Sequence, residues 1–494
     1  MSEQTNRNSS SDLSGGHNRR QFLKTTAIIG ATAFVSGRGA WADETKPSGN
    51  SPSEKVNIAC IGVGGKGDSD STHAGMYGNV VAICDVDDKI LAKKAEKFPN
   101  AKKFNDYRKM FDVMAKDFDA ITVSIPDHNH AAATMMGIKA GKHVYCQKPL
   151  SRTIKEARDM RMAAREKKVC TQMGNQGTAT DQLRRGVEVL RAGILGNVKE
   201  VHVWTNRPVW PQAPQVVARP PESPVPAELH WDEWIGVAPM RPYGEYDEAN
   251  PKGGRSKKGA YHTFNWRGWQ DFGTGALGDM GCHTANMPYM GLELGYPSSV
   301  EAKVAEMNNE TYPAWATITF QFPARGNKPP VKLVWWEGHR PDSKDAEKRN
   351  LPDTSVFKQF GVPNSGSLCI GEKGMMFSMS DYGENNMIVF NGMSEGISVN
   401  APQILPRHSE GGKKFNNDEA QKAEWVAAIK AGKSDVALSN FDYAGMLTEF
   451  ILLGNIASKF GGKKLEWDGP GMKVANLEEA NKFLHREYRK GWSM

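Results

Sequence analysis

Val56-Asn57-Ile58-Ala59-Cys60-Ile61-Gly62-Val63-Gly64-Gly65-Lys66-Gly67 is the stretch that decides the fold. A run of strand-forming residues feeds directly into G-x-G-x-x-G. In that spacing Gly62 permits a tight turn and Gly64 lets bare backbone approach a pyrophosphate, with Gly65 beside it. Gly67 allows close packing of the following helix, whose first amides face the anion. The next apolar run, Val80 to Cys84, ends in Asp85. An acid about twenty residues beyond the glycines accepts hydrogen bonds from ribose hydroxyls and repels a 2′-phosphate, so NAD is expected over NADP.

Working outward, strands are expected at Val56 to Ile61, Val80 to Cys84, Ala120 to Ile125, His143 to Cys146 and Val169 to Met173, with helical stretches between most of them. Such alternation implies βαβ units and a parallel sheet, a Rossmann dinucleotide-binding domain over residues 55–174. One stretch fits poorly. Asp68 to Gly78 is short and lacks apolar spacing, which predicts a stunted first crossover helix or a loop.

Beyond this domain the composition changes, since every tryptophan except Trp41 lies after residue 200. Strands at Val198 to Trp204, Trp315 to Phe322 and Val331 to Glu337 predict a large, mostly antiparallel open sheet. Helices are expected at Asp418 to Ala431 and Phe441 to Phe460, and long loops at 338–366 and 400–417. The fold class is therefore α/β plus α+β, with residues 175–494 forming a substrate and oligomerisation domain.

Ahead of the first strand, Asn18-Arg19-Arg20-Gln21-Phe22-Leu23-Lys24 precedes an apolar run from Thr25 to Val35 and the small-x-small pattern Ala40-Trp41-Ala42. That order predicts a twin-arginine signal peptide over residues 1–42, a Ser/Pro/Gly-rich linker over 43–54 and a periplasmic or otherwise exported protein. The apolar run is too short for a stable membrane span. The 494 residues carry a formal charge of +7, and the signal holds five basic and two acidic groups, leaving +4. Lysines and arginines are scattered among acids, so no nucleic-acid partner is expected. The six cysteines include no C-x-x-C pair and read as buried thiols. No metal site is expected.

Cys146-Gln147-Lys148-Pro149, Pro126-Asp127-His128-Asn129-His130, His230 to Gly236 and Gly278-Asp279-Met280-Gly281-Cys282-His283 complete a pattern that resembles the Gfo/Idh/MocA oxidoreductases, most of all their exported branch with a twin-arginine signal. That family carries Glu-Lys-Pro after its fifth strand, and Gln147 replaces the glutamate here. The resemblance implies NAD, a sugar or glycoside substrate and a homo-oligomer, and export with the cofactor already loaded implies that NAD stays tightly bound. It implies cofactor contacts from Gly62, Gly64, Gly65, Gly67, Asp85, Pro126, Asp127, Asn129, His130, Gln147 and Lys148.

The same residues make chemical sense by themselves. Lys148, held extended by the following proline at the C-terminal edge of the sheet, can hydrogen-bond a reacting hydroxyl and stabilise its negative charge. Asp279 and His283 are four apart, on one helix face, and an imidazole titrating near neutrality can act as general base. Asp279 can orient that imidazole or bind another hydroxyl. Asn175, Gln176, Asn206, Arg207, Tyr261 and His262 are expected to line the substrate, with Trp204, Trp210, Trp266 and Trp269 available for stacking on a sugar ring.

Three functions remain open at this point. The first is an NAD-dependent oxidoreductase acting on a sugar CH–OH group. The second is a glycosidase that oxidises a ring hydroxyl, eliminates the glycosidic group, adds water and re-reduces the ketone. The third is a sugar-binding protein that has kept the fold, suggested by the change at Gln147.

Overall fold

The computed structural model describes residues 55–246, 259–345, 347–353, 355, 361–408 and 416–494. The expected signal peptide and linker, and parts of the loops at 338–366 and 400–417, lie outside the described residues. Six parallel strands open the fold: β1 Asn57–Ile61, β2 Asn79–Cys84, β3 Lys102–Phe104, β4 Ala120–Val123, β5 His143–Cys146 and β6 Thr171–Met173. Their order is β3-β2-β1-β4-β5-β6. Strand order reverses at β1, with β2 on one side of it and β4 on the other, and ligands of such sheets bind beyond the strand ends at that crevice. Strand β3 carries no sequence signal, because its two lysines are exposed and three residues offer no alternation to detect.

The expected stunted crossover helix is corrected: Lys66–Tyr77 is a regular twelve-residue α-helix. It buries Gly67, Asp70, Ser71 and Ala74, a helical spacing written in small and polar residues. Apolar periodicity is absent because the buried face is held by ion pairs.

Nine further strands form the second sheet. They are β7 Val198–Trp204, β8 Ser299–Val304, β9 Trp315–Phe322, β10 Val331–Gly338, β11 Gly366–Gly371, β12 Gly374–Ser378, β13 Asn386–Phe390, β14 Lys464–Asp468 and β15 Lys473–Val474. The order is β13-β12-β11-β7-β10-β9-β8-β14-β15, antiparallel except where β7 meets β10. Alternate residues of β9 are buried, as a sheet with one covered face requires. Phe320 and Phe322 meet Phe450 of the helix Phe441–Lys459 at ring separations of 5.1 and 5.7 Å. That helix shares one core with residues of the first sheet. Trp204 and Trp269 are fully buried, Trp204 stacked on Phe377, so neither is available to a sugar ring. Trp210 is buried as well, with its indole N–H donating to Gln212.

All six cysteines are free and buried. Among the described residues, no helix is long and apolar enough to cross a membrane, and no cluster of three potential ligands could hold a metal ion.

Candidate active site

A cleft with room for about 670 Å³ opens at the crevice beyond β1, bordered by Gly62, Gly64, Gly65, Asp85, Gln147 and Lys148. The glycines fit an anion cradle. A Cβ at Gly62 would lie 2.3 Å from the Ser124 carbonyl oxygen, and one at Gly67 2.1 Å from the Gly62 carbonyl oxygen, so strand end and helix start cannot carry side chains. Gly64 and Gly65 face the cleft with bare backbone. Nothing lies within 4 Å of where a Gly65 side chain would stand. The donor set therefore fits a dinucleotide, with the first amides of the helix Lys66–Tyr77 at the turn. Asp85 accepts from the Val63 and Asp87 amides at 2.9 and 3.1 Å, which shapes the turn and leaves its carboxyl at the cleft wall. Burial raises its pKa, against those two amides.

Lys148 stands where this cleft meets the helix Gly275–Thr284. Its Nζ donates to the Asp279 carboxylate and to the Asp279 carbonyl, both at 2.8 Å. Arg267 adds a contact of 3.3 Å to the same carboxylate. Burial alone would raise the Asp279 pKa, but Lys148 and Arg267 outweigh it and hold the group well below the usual carboxylate range. His283 is buried one turn further, its ring at 5.1 Å and perpendicular to that of Tyr382. Burial, then the Lys148 cation, pushes its pKa well below the ordinary value. The expected titration near neutrality is thus corrected: the imidazole stays neutral. Among the described residues its Nδ1 has no hydrogen-bond partner.

Gln147 finds its explanation in a residue that carries no motif. Its Nε2 donates to Asp70 Oδ2 at 2.7 Å, and Asp70 also accepts from Ser124 Oγ at 2.8 Å and from Lys422 Nζ at 2.7 Å. Lys66 lies 3.3 Å away. Asp70 and Lys422 are both fully buried. A glutamate at 147 would press a second carboxylate against Asp70, so the amide matches a negative charge that this chain carries on its first helix. Lys422 comes from the helix Asn417–Ala431, and Asp418 of the same helix pairs with Lys66 at 2.5 Å. The far end of the chain thereby clamps the glycine turn.

His130 is held at both ring nitrogens, Nδ1 at 2.7 Å from the Pro149 carbonyl and Nε2 at 2.7 Å from the Ile125 carbonyl. Carbonyls only accept, so both nitrogens carry protons and the ring is a cation. Burial opposes this charge, but Cys146, Asp127 and the Pro149 carbonyl push the pKa up to about 9. The cation ties the Lys148-Pro149 turn to the end of β4. A raised folded pKa stabilises fully below the unfolded value of about 6.5 and loses that contribution as pH rises through the folded one. Denaturant unfolding is therefore expected to show stability falling between pH 6.5 and about 9. Substituting His130→Gln is expected to flatten that slope, and an equal slope in the variant would contradict the assignment.

Pro126, Asp127 and Asn129 also border the cleft. Asp127 accepts from Thr274 Oγ1 at 2.6 Å, and Asn129 bridges to the Trp234 carbonyl and the Val237 amide. Their side chains therefore brace the wall.

Of the expected substrate residues, Gln176, Asn206 and Arg207 gather near His283. Gln176 Nε2 donates to the Tyr382 hydroxyl at 3.3 Å, and Arg207 bonds Asn206 and lies 3.9 Å from Asp381. Three expectations are corrected. Asn175 is buried with its amide spent on Ser439 and the Cys282 carbonyl. Tyr261 is enclosed by Trp231, Trp269 and Phe272, because its segment buries an aromatic cluster behind the cleft. His262 faces Asp87 at 3.3 Å, on the nucleotide side, where it shares the cleft wall with Asp85. Asp381 and Tyr382, in the turn between β12 and β13, join the site unannounced by any motif. Arg267 was equally silent, one basic residue among aromatics.

Comparison with known proteins agrees with this architecture. Residues 56–175 match the family model described as "Oxidoreductase family, NAD-binding Rossmann fold", and residues 187–361 match "Oxidoreductase family, C-terminal alpha/beta domain". The chain is 34% identical to the D-glucoside 3-dehydrogenase of Escherichia coli K12 over 31% of this chain and 44% of that protein. It is 27% identical to a glycosyl hydrolase family 109 protein of Shewanella pealeana, over 37% of this chain and 44% of that protein. The chain thus spans less than half the length of these curated relatives. A levoglucosan dehydrogenase solved with NADH and levoglucosan shares the fold at a TM-score of 0.55 and 16% identity, covering 83% of this chain and 99% of that one. With the whole first sheet and strands β7 to β10 of the second lying in matched segments, the chain belongs to the Gfo/Idh/MocA oxidoreductase family.

Proposed function

We propose that the protein is an NAD-dependent oxidoreductase that moves hydride between a carbinol carbon of a sugar or sugar derivative and a tightly held nicotinamide. The observation that carries this reading is the position of Lys148, which borders the dinucleotide cleft and ion-pairs with Asp279 on the helix that also bears His283. NAD, when bound, supplies the hydride acceptor. Gly62, Gly64, Gly65 and Gly67 cradle its pyrophosphate, and Asp85 takes ribose hydroxyls and disfavours a 2′-phosphate. Pro126, Asp127, Asn129, His130 and Gln147 shape the wall around the ring that reacts.

Lys148 donates to the reacting oxygen and stabilises its negative charge. His283, neutral and unpartnered at Nδ1, accepts the hydroxyl proton as the carbonyl forms. Asp279 keeps the lysine aimed. Gln176, Asn206 and Arg207 hold the remaining hydroxyls. The nucleotide domain ends near residue 174, and the rest of the chain supplies substrate contacts and a homo-oligomer interface. Nucleic acid has no part.

The second reading, a glycosidase with transient oxidation and re-reduction, is favoured by the similarity to a glycosyl hydrolase family 109 protein. The twin-arginine stretch Arg19-Arg20 suits the exported branch and a periplasmic site of action. A cofactor loaded before export must then stay bound and be reset in place. Mass spectrometry of small molecules released on denaturation is expected to find NAD or NADH. A folded preparation with neither, and without affinity for them, removes both readings. A keto-sugar product marks the oxidoreductase; glycoside cleavage without net change of cofactor marks the glycosidase.

A further inference from the structure

The last stretch of the chain runs beside the cleft and reaches its border at Trp492. Arg486 Nε and the Tyr488 hydroxyl both donate to the buried Glu156, at 2.9 and 2.7 Å, and Arg486 also bonds the His128 carbonyl. Arg489 pairs with Asp232 at 2.6 Å and donates to the Gly236 carbonyl at 3.0 Å, and its own amide donates to the Val237 carbonyl at 3.1 Å. These ties span the helix starting at Asp127 and the turn after Ile235, and deliver Trp492 to the border of the cleft. The Trp492 amide donates to the Arg489 carbonyl, which closes the turn. Its indole rests 3.8 Å from the Arg108 guanidinium and 6.0 Å from the Tyr107 ring.

Strand order says which half of a dinucleotide lies there. Lys148 follows β5, the glycine turn follows β1, and Asp85 follows β2, so a dinucleotide runs from nicotinamide near β5 to ribose at β2 and adenine beyond it. Tyr107 and Arg108 follow β3, the next strand out. Trp492 is half-buried and sits on that side.

We propose that residues 485–494 form a strap over the adenine half of the cofactor and that the Trp492 indole packs on the adenine base, slowing nucleotide release. This rests on the dinucleotide reading above. It also supplies what an exported enzyme with a resident cofactor needs: a contact that opposes departure and takes no part in the chemistry.

Displacement kinetics of NADH and equilibrium binding of ADP-ribose, which lacks nicotinamide, test it. In Trp492→Ala, release of NADH is expected to speed up about tenfold and ADP-ribose to bind about tenfold more weakly, the scale of one lost aromatic contact with a base. Trp492→Phe is expected to stay near wild type, since it keeps an aromatic face. Arg489→Ala retains the indole but unties the strap, and it is expected to speed release as well. Unchanged release and ADP-ribose binding in Trp492→Ala overturn the strap and leave the dinucleotide reading intact. A wild-type protein with no affinity for NADH overturns both.

Discussion

Substituting Lys148→Met is expected to lower turnover by about 10²–10³-fold, the loss typical of removing one donor aimed at a developing negative charge. Lys148 borders the cleft and bonds Asp279 at 2.8 Å on the helix that bears His283, and its side chain is only 15% exposed. Screening by water is weak there, so its charge acts at close to full strength on the reacting oxygen. The substitution also leaves Asp279 with Arg267 alone as close counter-charge, so the carboxyl pKa is expected to rise. The loss should appear in the rate of nicotinamide reduction in a single turnover, with nucleotide affinity little changed. Turnover within a few-fold of wild type would remove Lys148 from the chemistry.

Substituting Asp70→Asn is expected to destabilise the fold by about 3–5 kcal/mol, because it strands a fully buried Lys422 without its counter-ion. Burial would raise the Asp70 pKa, but Lys422 and Lys66 reverse that and hold it well below the ordinary range. A depressed carboxylate contributes its stability above the unfolded pKa and loses it as pH falls through the folded one. The variant should therefore differ most from wild type near neutrality and approach it in acid. Gln147→Glu alone is expected to destabilise as well, through two adjacent buried carboxylates. Together the two substitutions return one carboxylate to the network, and the double variant is expected to regain most of the loss. Urea unfolding of the four proteins measures this coupling. Additive losses would show that Gln147 and Asp70 do not answer one another.

The two substitutions also mark where the sequence was legible. The strand-glycine-acid order around Gly62 and Asp85 could be read because every part is local: a strand, a turn that tolerates no side chain, and an acid one strand away. The helix Lys66–Tyr77 defeated the same reading, since its buried face is completed by Lys422, more than three hundred residues on. No window of sequence contains both halves of that pair. Lys148, Asp279 and His283 were recognisable by motif and spacing, whereas the lowered pKa of His283 depends on burial that no motif records. Tyr261 and Asn175 were misread for the same reason, as polar groups near motifs that the fold turns inward. Asp381, Tyr382 and Trp492 reach the site from loops and a terminal segment, where local pattern carries little information.

The most direct measurement is a single turnover of the NAD-loaded protein against a panel of sugars and glycosides, recording nicotinamide absorbance together with the mass of the sugar product. The account predicts reduction of the bound nicotinamide and a product lighter by two hydrogens, both suppressed in Lys148→Met. A protein that holds the nucleotide, yet neither reduces it with any sugar nor reoxidises it with any keto-sugar or cleaves any glycoside, would contradict the account.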